Sequence, residues 1–102
     1  MEVRDSFSKA LRLVRKRQDL TQEDFSIVSS RTYVSMLERA ATSPTLDKLD
    51  GLCEVLDIHP VTLLAITYLL GAESPGGYES LLKRVGDELD RLLAESASEI
   101  SV

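Results

Sequence analysis

Apolar residues recur at helical spacing along most of this 102-residue chain. Phe7, Ala10, Leu11 and Val14 form one stripe after Ser6, whose hydroxyl suits a helix cap, while Lys9, Arg12, Lys16 and Arg17 fall on the other face. Thr21 is the next capping residue. Glu23 and Asp24 follow in the first turn, where the helix dipole favours acids, and the short helix turns Phe25 and Val28 inward. Ser29 and Ser30 break the pattern, and either can cap a third helix over 31–39 with Val34 and Leu37 as its apolar stripe.

Thr42-Ser43-Pro44 is a breaker, because proline disfavours helical geometry in the residue before it. Thr45 then caps a fourth helix with Leu46, Leu49, Leu52, Cys53 and Leu56 on one face. His59-Pro60 restarts the chain with proline at a first helical position, where its missing N–H costs nothing. The fifth helix, 60–70, is apolar nearly all round and needs cover on more than one side. Residues 71–77 read as a linker. Beyond them Leu82, Val85, Leu89 and Leu92 alternate by three and four, a stripe resembling a coiled-coil seam, and 96–102 frays. No segment reads as a strand. The expected fold class is all-α: a five-helix unit over 1–70, then a C-terminal amphipathic helix within 78–102.

Composition narrows the function. One cysteine and one histidine exclude an internal disulfide and make a four-ligand zinc site implausible, so no metal or other cofactor is expected. The longest apolar run, 61–70, is about half of what a bilayer span needs, so no membrane partner is expected and a cytoplasmic location is. The formal net charge of −5 argues against nucleic acid until it is divided along the chain. Residues 1–45 carry net +2 and residues 46–102 net −7, which suits one face presented to phosphate and another kept away from it. An acidic tail on an ordinary soluble protein gives the same sum.

Two short helices joined by a serine-rich corner are what a helix-turn-helix requires. The first crosses the phosphate backbone, and the second places its N-terminal residues in the major groove. With Val34 and Leu37 inward, Arg31, Thr32, Ser35 and Met36 face out. Arg31 can fork onto guanine O6 and N7, Thr32 and Met36 can touch a thymine methyl, and Ser35 can donate or accept. An ordinary surface helix has the same spacing.

At these residues the chain resembles a known family. Leu20-Thr21-Gln22-Glu23-Asp24-Phe25, Leu37-Glu38-Arg39, Pro44, Arg15 ahead of the Leu-Thr-Gln and Leu63-Leu64 at the end look like the lambda-repressor-like, Cro-type (XRE-like) helix-turn-helix family. The resemblance runs from Phe7 to Leu64 and implies a five-helix domain that binds operator DNA as a two-fold dimer. It implies that Gln22 bonds a phosphate and braces the first reading residue. Arg31, Thr32, Ser35 and Met36 fall on the base-reading positions, Thr42 and Ser43 on a phosphate-contacting loop. Arg15 and Glu38 match a structural salt bridge between the first and third helices.

Three departures shape the expectations. The segment from Phe25 to Arg31 is shorter than the family pattern and lacks its turn glycine, so the corner is expected to be tighter and the third helix rotated. Ala40 stands where glycine is usual, so that helix is expected to run on or to end without a left-handed cap. The loop Ala41-Thr42-Ser43 is neutral, which shifts the phosphate grip toward Lys9, Arg12 and Arg39.

The remaining candidates have plain readings. Tyr33 either contacts the DNA backbone or packs against the second helix. His59 suits a helix cap better than a metal or pH switch, and Cys53 suits core filling better than redox sensing. Tyr68, Leu69 and Leu70 are the expected exposed share of the fifth helix. With Leu82, Val85, Leu89 and Leu92 they form an expected dimer seam, although the C-terminal stripe fits a twin helix or a fold-back equally well. No phosphate loop or nucleophile pair points to an enzyme. The reading is a sequence-specific transcriptional regulator, a homodimeric repressor on double-stranded DNA with a near-palindromic operator. The alternatives are an antitoxin or restriction controller whose acidic C-terminal segment binds a protein, and an interaction module that has lost DNA.

Overall fold

The computed structural model describes residues 2–71 and 76–94. Among them lie five α-helices and one 3-10 turn, with no strand. They are α1 (Val3–Arg17), the 3-10 turn Gln22–Phe25, α2 (Arg31–Glu38), α3 (Leu46–Leu56), α4 (Pro60–Gly71) and α5 (Gly77–Leu93). The turn stands where the second helix of a helix-turn-helix belongs, so the expected five-helix unit is present and α5 follows it. The expected linker at 71–77 lies partly, and the frayed end wholly, outside the described residues.

Local chemistry sets most of the boundaries. The Asp24 carboxylate accepts from the backbone N–H of Thr21 at 2.7 Å and from its hydroxyl at 3.1 Å, which opens the 3-10 turn. Ser30 Oγ accepts from the Tyr33 N–H, and Thr45 Oγ1 from the Lys48 N–H, each at 3.1 Å. His59 is a cap: its Nδ1 accepts from the Val61 N–H at 3.0 Å, and Pro60 is the first residue of α4. Ser6 is not a cap. The helix starts at Val3, and Ser6 is buried within it, its N–H donating to the Glu2 carbonyl.

The C-terminal ends of α1, α2 and α3 share one geometry. Asp19, Ala40 and Asp57 have φ of 57°, 59° and 57°, in the left-handed region. After α2 the Ala41 N–H reaches back to the Met36 carbonyl and the Ala40 N–H to that of Leu37, a Schellman motif. The expectation that Ala40 would forgo a left-handed cap is therefore corrected. Alanine adopts it, because two orphan carbonyls at the helix end gain partners by it.

Phe7, Ala10, Leu11 and Val14 of α1 meet Phe25, Val34, Leu37, Leu49, Leu52, Cys53, Leu56 and Leu63 in one buried core. Burial pushes the Cys53 thiol up to about 11, so it stays protonated as apolar filling. Leu46 departs from its expected stripe: it is 82 % exposed, because the first residue of α3 projects beyond the core. α3 and α4 meet at 100°, and α1 packs along α4. In α4 only Leu63 and Thr67 are fully buried, the threonine hydroxyl donating to the Leu63 carbonyl at 2.9 Å. The Gln18 side chain donates to the Leu56 carbonyl at 2.9 Å and ties the end of α1 to the end of α3. No single helix among the described residues is long and apolar enough to cross a membrane.

Candidate nucleic-acid interface

The candidate site is built around one buried carboxylate. Glu38, 3 % exposed near the end of α2, accepts from Arg15 Nε at 2.6 Å and Nη2 at 2.9 Å, a bidentate pair. The remaining Arg15 nitrogen, Nη1, donates to the Leu20 carbonyl at 3.0 Å. Gln22 Nε2 adds a third bond to Glu38 at 3.1 Å. One carboxylate thus joins α1, the 3-10 turn and α2, three elements that share no local sequence. The hydrogen bond that Arg15 donates to Glu38 holds its guanidinium above its ordinary pKa, against the opposing effect of its burial.

The corner before α2 is compact. The Val28 and Ser29 N–H groups both donate to the Phe25 carbonyl at 2.9 Å, and none of residues 26–30 is in the left-handed region. The chain turns without a positive φ, from right-handed Ser26 to extended Ser30, in geometry that any residue tolerates, so the absent glycine is not needed. Val28 packs against the core, as its pattern suggested, while Ile27 is exposed.

The corner sends α2 out with a buried side of Val34, Leu37 and Glu38. Arg31 and Thr32 are exposed, and Ser35 and Met36 are half-buried. Arg39 is exposed, its Nε donating to the Ser35 carbonyl at 3.3 Å. Lys9 and Arg12 are exposed on α1, and Arg12 stands one turn before Arg15. In the following loop Thr42 is half-buried and Ser43 exposed. Gln22 spends one amide N–H on Glu38, which leaves the second N–H, the side-chain carbonyl oxygen and the backbone for other contacts. Tyr33 is half-buried against the core, and desolvation raises its phenol above the usual value.

Lys48 was missing from the sequence-derived site. Its ammonium donates to the Val28 carbonyl at 3.1 Å and lies 5.5 Å from the centre of the Tyr33 ring. One local signal pointed to it. Thr45-Leu46-Asp47-Lys48 puts a cation where a capping box takes Glu or Gln.

Among the described residues no group of His, Cys, Asp and Glu can hold a metal ion. On α4, Val61, Tyr68 and Leu70 are about half exposed, and Leu69 is half-buried. Tyr78 and Leu82 of α5 line an apolar groove against Val61, Thr62, Ala65, Ile66 and Leu69 of α4. Val85, Leu89 and Leu92 continue the stripe and remain exposed, Leu92 by 65 %.

A family model described as helix-turn-helix matches residues 11–63, from the middle of α1 into α4. The chain belongs to this lambda-repressor-like family and is a DNA-binding regulator of the XRE type. Comparison with curated proteins and with solved structures returns no significant match.

Proposed function

We propose that this regulator is a homodimeric repressor that sets α2 into the major groove at each half of a near-palindromic operator. The two recognition helices would stand about one DNA turn apart, roughly 34 Å. The observation that carries the reading is the α2 helix itself. Its inner side is locked to α1 through Arg15 and Glu38, while Arg31 and Thr32 are exposed at its N-terminal end. In this reading Arg31, Thr32, Ser35 and Met36 read bases. Lys9, Arg12, Gln22, Tyr33, Arg39, Thr42 and Ser43 meet the sugar-phosphate backbone. The half-exposed apolar residues of α4 and the free stripe of α5 supply the dimer seam.

Selection of bound sites from random duplexes tests this directly, and one near-palindromic motif is expected. Arg31→Ala relaxes base preference at one position per half-site. Lys9→Ala or Arg12→Ala weakens binding to every sequence and lowers the salt slope by about one. Binding indifferent to all three substitutions would remove α2 from the groove.

A further inference from the structure

We propose that Lys48 of α3 is a positioning residue for the recognition helix, a role that rests on the DNA-reading function proposed above. The Val28 carbonyl lies in the corner that launches α2, and among the described residues no backbone N–H donates to it. Lys48 Nζ donates to it at 3.1 Å. The same ammonium lies over the ring of Tyr33, two residues into α2 from Arg31. One cation therefore clasps both the corner and the start of the reading helix.

Two further features point the same way. Lys48 is the third residue of α3, where the helix dipole disfavours a cation. A residue that breaks a local preference marks a place where tertiary structure or function has use for it. One turn later Gly51 faces the same corner, and a Cβ there would stand 3.4 Å from the Val28 Cβ. At that distance a Cβ would make ordinary contact, so α3 packs directly on the corner, within reach of the carbonyl for Lys48. The clasp acts on the short corner, which sets the angle at which Arg31 and Thr32 are presented.

Lys48→Met keeps the aliphatic stem and removes the donor and the charge. In the full chain the preference for the selected operator over random duplex should fall about tenfold, the scale of one lost base contact. The salt slope should not change, because no phosphate contact is lost. Without DNA, exchange of the Tyr33 and Val34 amides, which donate to Ser30, should quicken about tenfold while α1 is unaffected. Lys48→Arg, which keeps a donor and a cation for the ring, should restore both readouts.

A salt slope lower by about one with operator preference intact would overturn the proposal and make Lys48 a phosphate contact. Unchanged amide exchange would overturn it as well. A wild-type chain that prefers no DNA sequence would defeat the DNA-reading function, yet the exchange comparison would still decide whether the clasp holds the corner.

Discussion

Ala40 follows α2 at φ 59°, where its methyl group crowds the following carbonyl. Asp19 and Asp57 hold the same conformation at the ends of α1 and α3, but a short polar side chain tolerates it better. Ala40→Gly removes the crowding and gives back part of the gain as extra freedom of the unfolded chain. The net expected effect is about 1 kcal/mol of added stability, seen as a raised midpoint in urea with an unchanged slope. A lower midpoint would show that alanine is not strained there. The residue scale is also where sequence reasoning went astray. Glycine is a marker of left-handed geometry and not its cause, so its absence did not abolish the motif. With alanine at 40 the Ala41 and Ala40 N–H groups still find the Met36 and Leu37 carbonyls.

Between elements, the Arg15–Glu38 pair is the main polar link from α1 to α2. Arg15→Met leaves a carboxylate that is 3 % exposed with Gln22 as its remaining side-chain donor. Removing one partner of a buried pair costs about 3 kcal/mol, because the other charge stays buried and uncompensated. The check is urea unfolding at neutral pH, in which Arg15→Met should lose far more stability than Arg12→Met, on exposed surface one turn away. Equal losses would mean that the pair carries no special weight. The elements themselves were legible where their signals are local. Thr21, Thr45 and Pro60 each stand at the helix start read from them, and of the two candidates Ser29 and Ser30 the second is the cap, because a cap needs only its own first turn. Ser6 and Leu46 were misplaced for one shared reason. Periodicity identifies a face, but it does not say how far along the helix the core extends.

For the whole molecule, the open question of the sequence was whether the C-terminal stripe folds back or pairs. The stripe stays open along its length: Tyr78 and Leu82 line a groove with α4 yet are 59 % and 50 % exposed, and Val85, Leu89 and Leu92 are exposed beyond them. Covering those three with a second copy would bury apolar area at about 25 cal/mol per Å². Leu89→Lys places a charge in that stripe and touches none of the core residues of α1 to α4. If the proposed dimer uses this stripe, sedimentation should then show a monomer where the unaltered chain is a dimer, with the helical circular dichroism retained. An unchanged dimer would move the seam to another surface.

The sequence by itself determined the helical class, four local helix starts, the buried stripe from Phe7 to Leu56 apart from Leu46, and the family motif around Leu20 to Phe25. These depend on spacing and on interactions within one turn, both of which are written in consecutive residues. Tertiary structure decided the rest. It closed the short corner without a left-handed residue, held Ala40 in a left-handed cap, and turned Gln22 toward Glu38. It also brought Lys48 across to Val28 and Tyr33, a juxtaposition that no spacing announces. The reason is physical: these features arise where one element satisfies the unpaired polar groups of another, and such partners are chosen by packing and not by order along the chain.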